Sequence, residues 1–165
     1  MRQITQVEYD ALPVVDGCRQ CPGNTDYTLI REFGARSSFG ERSSFGAGSS
    51  FGVWSRFGVW SSFGAGSSFG ARSSFGERSS FGKRCEFEGK GRAKPGIPLL
   101  AFGGFGSEGR TTYAFDLESG IWVRCGCFFG TLSEFRAKVR STYGEEGHGR
   151  IYLSLANVIE AKFSA

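Results

Sequence analysis

Phe33-Gly34-Ala35-Arg36-Ser37-Ser38 opens a run that returns to Phe every six residues, at 33, 39, 45, 51, 57, 63, 69, 75, 81 and 87. Gly follows each of these Phe residues except the last, where Glu88 stands. A helix repeats near 3.6 residues and a strand at 2. Six is a multiple of two, so each Phe shares a strand face with the residue two places before it, usually Ser. Gly and the two variable residues are then free to turn a corner. A short strand plus a corner, repeated at a hexapeptide period, is the signature of a parallel β-helix.

A second period lies over the first. The variable pairs read Ala35-Arg36, Glu41-Arg42, Ala47-Gly48, then Val53-Trp54, Val59-Trp60, Ala65-Gly66, then Ala71-Arg72, Glu77-Arg78, Lys83-Arg84. The pattern returns after three hexapeptides. Three faces closing a triangular coil explain that, with like residues stacked about 4.8 Å apart, the spacing of strands in a sheet. The competing reading is a disordered tract, similar in its FG dipeptides to nuclear pore repeats. Fixed spacing without an insertion argues for the solenoid.

With Phe in the aliphatic slot and Ser in the small slot, the array resembles the hexapeptide-repeat left-handed parallel β-helix. The departure is the bulk of Phe, which implies a wide coil with a stacked aromatic core. The expected chain is mainly β: a triangular β-helix of about three coils at 33–92, an N-terminal cap with a short helix at 1–32, a linker at 93–109 and a ββαα unit at 110–165. Thr5-Gln6-Val7-Glu8 and Thr131-Leu132-Ser133-Glu134 each read as a helix-starting capping box. Cys18 to Gly23 reads as a turn and Tyr27 to Ile30 as a short β-prone run. Thr111–Phe115 and Ile121–Cys127 read as a hairpin, with one helix burying Leu132, Phe135 and Val139. A last helix, from about Arg150 to Phe163, is expected to bury Ile151, Leu155, Val158 and Ile159. The C-terminal unit and the array together are similar to small uncharacterised proteins encoded by phages and prophages, which carry C/S-S-F-G-x-x arrays.

The chain has 165 residues and a formal net charge of +4. The basic excess is local, with nine Lys/Arg against four Glu between Phe33 and Arg92. That permits a polyanionic partner and argues against a DNA mimic. The sequence has no apolar run of membrane-spanning length, and its start lacks the apolar core of a secretory signal. The expected setting is cytoplasmic, the host cytosol if the chain is phage-encoded. The five Cys are then thiols or metal ligands.

The middle coil differs from its neighbours. Val53, Trp54, Val59 and Trp60 replace charged or small residues, and Arg56 replaces a Ser. Stacked columns put Trp54 between Arg36 and Arg72, and Trp60 between Arg42 and Arg78. Guanidinium stacking on each indole would be worth roughly 0.5–1 kcal/mol. Exposed Val-Trp pairs rimmed by Arg have the composition of a protein interface. Stacking of nucleic-acid bases is a weaker alternative.

Cys18, Cys21, Cys125 and Cys127 could form a zinc site if both ends of the chain met, C-x-x-C being one usual half. No other cofactor is expected. His148 is the only His, and no nucleophile–base set or phosphate loop accompanies it. The expectation is a non-catalytic protein-binding β-helix, a homodimer or small oligomer. The phage resemblance implies an accessory protein that inhibits a host factor, such as a CRISPR or other defence component. The alternatives are a hexapeptide-family acyl- or nucleotidyl-transferase and a virion structural component.

Overall fold

The computed structural model describes residues 1–105 and 107–165. The chain forms two compact units, Met1–Pro95 and Gly96–Ala165.

The first unit is the parallel solenoid. Ser44, Ser62 and Ser80 lie side by side in parallel register, as do Ser50, Ser68 and Glu86. Each step is 18 residues, three hexapeptides, so one turn has three faces. Three sheets of five, four and five strands make those faces. The strands are short because a corner interrupts every sixth residue.

Phe points inward on every turn, and ring packing follows the two periods. Along the axis like faces stack: Phe39 on Phe57 at 5.2 Å, Phe45 on Phe63 at 5.0 Å and Phe51 on Phe69 at 5.2 Å, each within 4° of parallel. Between faces the rings meet edge-on, as Phe51 and Phe57 do at 4.8 Å and 85°. Both arrangements suit the aromatic quadrupole. The Ser two before each Phe shares the interior. Ser43, Ser49, Ser55, Ser61 and Ser67 are buried, and each hydroxyl donates to the Gly carbonyl three residues back at 2.8 Å. A buried hydroxyl without such an acceptor would cost about 1–3 kcal/mol.

Gly after Phe has a reason other than turning. A Cβ on Gly58 would meet the Glu41 amide nitrogen of the preceding turn at 2.5 Å, and one on Gly70 would meet Val53 nitrogen at 2.6 Å. Successive turns approach backbone to backbone here. The turning is done by the second variable residue, which holds a left-handed φ at Arg36, Arg42, Trp54, Trp60, Arg72, Arg78 and Arg84 (54–62°) and at Gly48 and Gly66 (70°).

The solenoid has about four turns, close to the expected three, the added one lying before the repeat is visible. Cys18–Cys21 is a strand, not a turn, and pairs in parallel with Ser37–Phe39. Cys21 and Tyr27 fill the inward slots beneath Phe39 and Phe45, Tyr27 stacking on Phe45 at 5.3 Å. The β-prone run at Tyr27 is a corner, preceded by the Thr25–Asp26 strand. Helix α1 (Gln6–Asp10) starts on the expected Thr5/Glu8 capping box and lays the buried Tyr9 edge-on against Phe33.

The second unit is an antiparallel meander of Leu99–Phe102, Thr112–Leu117, Gly120–Cys125 and Phe128–Thr131, followed by α2 (Leu132–Tyr143) and α3 (His148–Ser164). Two strands more than the expected hairpin are present. Leu99–Phe102 falls in the Gly- and Pro-rich stretch read as linker, and Phe128–Thr131 is a four-residue strand ending at a helix cap. The capping box at Thr131 and the buried face Leu132, Phe135 and Val139 are as expected. In α3 the buried stripe is Tyr152, Leu155, Ala156 and Ile159, while Ile151 and Val158 are 42% and 54% exposed. The helix carries two adjacent apolar stripes, and the one with the small Ala156 packs closer.

Candidate functional site

Coil-to-coil hydrogen bonds fix the corner columns. The Arg36 amide donates to Val53 O, the Trp54 amide to Ala71 O, the Arg42 amide to Val59 O and the Trp60 amide to Glu77 O, all at 2.9 Å. Arg36, Trp54 and Arg72 therefore form one column, and Arg42, Trp60 and Arg78 the next. Between the two corners runs the face whose outward residues are Gln20, Ser38, Arg56 and Ser74. Trp54, Arg56 and Trp60 thus cross one wall in a single turn. Trp54 is 46% and Trp60 50% exposed, with Val53 beside them at 42%. Val59 is half-buried.

The expected stacking occurs on one side of each indole. The Arg72 guanidinium lies over Trp54 at 4.7 Å and that of Arg78 over Trp60 at 4.8 Å. No such contact from Arg36 or Arg42 exists among the described residues. On the uncovered side of Trp54 a cavity of about 200 Å³ opens between Asp16, Cys18, Arg36, Trp54 and Arg56. Sequence reasoning missed Asp16 and Cys18 here. The signal was available: Cys18 stands 18 residues before Arg36, so extending the period back by one turn puts it in this column.

On the wall and its corners five arginines (36, 42, 56, 72, 78) face three carboxylates, Glu41, Glu77 and, in the cavity beside Trp54, Asp16. No ion pair joins any of the five to a carboxylate among the described residues. The wall thus offers aromatic area, aliphatic area and guanidiniums without carboxylate partners among the described residues.

The cysteines are arranged differently. Cys18 and Cys21 are three apart on one strand, so their side chains leave opposite faces. Cys21 is buried, and burial pushes its thiol up to about 12. Cys125 and Cys127 line a cavity of the second unit. No group of three or more His, Cys, Asp and Glu suited to a metal occurs among the described residues. His148 is the exposed first residue of α3, its ring 6.2 Å from that of Tyr143. No helix among the described residues is long and apolar enough to cross a membrane.

The chain matches no family model, no curated protein and no solved structure.

Proposed function

We propose that this is a non-catalytic binding protein whose Trp54–Arg56–Trp60 wall docks an acidic partner protein. The observation that carries the reading is two half-exposed indoles held at φ near 60°. A non-Gly residue in that conformation costs about 1–2 kcal/mol. Gly48 and Gly66 hold the same corner position, so the fold accepts Gly there. Trp and Arg are the residues that most often dominate interface energies, and here they are kept where the backbone favours Gly.

Charge complementarity selects the partner. Five guanidiniums against three carboxylates on one wall suit an acidic surface with apolar side chains between its charges. Self-pairing of the wall would set like charges together, so the reading favours a foreign partner over a homodimer through this seam. The resemblance of the array to phage-encoded proteins is what supports a host defence factor as that partner.

The test is binding by the wild type and by a Trp54→Gly/Trp60→Gly variant. A captured host protein should be acidic, release as salt rises, and bind the double variant at least about thirtyfold more weakly, the effect of losing one hot spot of about 2 kcal/mol. Equal binding by the variant would move the site elsewhere. A purified wild type that sediments as a dimer, and as a monomer after the double substitution, would restore self-association.

A further inference from the structure

The Cys125-Gly126-Cys127 turn takes no part in the docking wall. Cys125 is paired with Phe128, so Gly126 and Cys127 form a two-residue hairpin loop. Gly126 holds a φ of 60°, the positive value such tight hairpins use. Residues two apart in a turn lie within the roughly 4.4–6.8 Å between Cα atoms that a disulfide spans.

Both thiols line one cavity of about 230 Å³, floored by Phe128, Phe135 and Val139. Its rim carries two cations, Arg110 and Lys138. The Arg110 guanidinium lies on the turn itself: a Cβ on Gly126 would meet its Nη1 at 2.5 Å. Arg110 is ion-paired to Glu108. Lys138 is exposed, with no ion pair among the described residues. The two sulfurs differ in position. Cys125 is half-buried, accepts from Thr112 Oγ1 at 3.3 Å and lies 3.8 Å from the Tyr152 hydroxyl. Cys127 is exposed.

We propose that Cys127 and Cys125 form a thiol–disulfide exchange site for a small anionic disulfide of the glutathione type. The Cys127 thiolate attacks one sulfur of the bound disulfide. A Cys127–sulfur bond forms as the ligand's S–S bond breaks, and the departing thiolate takes a proton from water. Cys125, its proton lost to water, attacks the Cys127 sulfur and expels the second thiolate. Two protein thiols are oxidised to one disulfide, and one ligand disulfide is reduced to two thiols. Arg110 and Lys138 hold the ligand's carboxylates, and cations beside a thiol favour the thiolate that attacks. A disulfide in so small a ring is strained, so a reduced glutathione pool reopens it.

The test is exposure of the reduced full-length protein to oxidised glutathione, with each cysteine followed by mass spectrometry. Cys18, half-exposed and outside this cavity but beside Arg36 and Arg56, serves as the internal control once both arginines are replaced, in an Arg36→Gln/Arg56→Gln background. Cys125–Cys127 closure should run about tenfold faster than glutathionylation of Cys18, the gain two exposed ion pairs supply. Neutral 2-hydroxyethyl disulfide should lose that advantage. Cys125→Ser should trap glutathione on Cys127, and Lys138→Gln should slow closure by glutathione but not by the neutral disulfide. Glutathione retained on both cysteines, closure no faster than the Cys18 reaction, or equal preference for the neutral reagent would each overturn the proposal. The wild-type mapping decides the matter even if a variant misfolds.

Discussion

Two alanine substitutions at the same repeat position separate backbone close approach from simple turn propensity. Gly34 and Gly70 both follow a core Phe, and neither has a positive φ. A Cβ on Gly34 has nothing within 4 Å, whereas one on Gly70 meets Gly52 C and Val53 N at 2.6 Å. Ordinary contact needs about 3.4–4 Å, so the turns must part by close to 1 Å at Gly70. Backbone lies on the receiving side, so no side chain can swing away. The parting strains the coil-to-coil bonds beside it, Gly70 N to Phe51 O at 2.8 Å and Trp54 N to Ala71 O at 2.9 Å. Two hydrogen bonds at about 1 kcal/mol each, plus about 1–3 kcal/mol for overpacking, give a loss of roughly 3–5 kcal/mol for Gly70→Ala. Gly34→Ala should be neutral or gain about 0.4–1 kcal/mol by restricting the unfolded chain. Urea unfolding followed by far-UV circular dichroism measures both. Equal losses in the two variants, or a Gly70→Ala protein within about 0.5 kcal/mol of wild type, would refute the close-approach argument.

Three further outcomes are expected. Phe63→Ala removes a ring stacked between Phe45 and Phe81 and should cost about 3–5 kcal/mol in the same urea assay. Trp54→Ser with Trp60→Ser should leave the far-UV spectrum intact, because both indoles lie outside the ring stack. Alkali should destabilise the solenoid through Cys21 and Cys85, whose thiols burial pushes up to about 12 and about 11 from an ordinary 9.0. The unfolded chain sheds these protons first, so the contribution of the two thiols is level below pH 9.0 and is lost between there and about 12. Cys21→Ala with Cys85→Ala should make that limb of a stability–pH curve shallower and start it nearer pH 10.0, leaving the part due to Tyr9 and Tyr27, whose hydroxyls burial also pushes up.

Phe63 and Ser61 were legible because each repeats a slot whose period matches the backbone's own. The same rule hides its beginning: Cys21 and Tyr27 occupy Phe slots, but neither is Phe, and the repeat fades before the fold does. The second unit was legible where local chemistry is strong, as at the Thr131/Glu134 cap, and obscure where pairing is long-range. Leu99–Phe102 becomes a strand only because Thr112–Phe115 offers it an edge. In α3 the expected Leu155 and Ile159 are buried but Ile151 and Val158 are not, because Ile151 and Tyr152 are equally good stripe leaders until packing selects one. The Trp and Arg columns were placed correctly, but the one-sided stacking was not legible, since rotamers rather than register decide which guanidinium covers which indole.

Where the chain departs from its repeat, it does so against its own backbone. Seven corner positions carry Arg or Trp at φ of 54–62°, although Gly48 and Gly66 show that Gly fits. At about 1–2 kcal/mol each, the gross cost is on the order of the whole stability of a small domain. The inward residues show no such expense: their rings stack and their hydroxyls are satisfied. Cation–π contact recovers part of the cost at Trp54 and Trp60, but Arg36 and Arg42 stack on neither indole. Arg84, at the corner of Gly48 and Gly66, carries the same cost without an indole, so strain alone does not mark the wall; under the docking proposal a partner surface would offset it at Arg36 and Arg42, and binding by Arg36→Gly/Arg42→Gly against Arg84→Gly tests that.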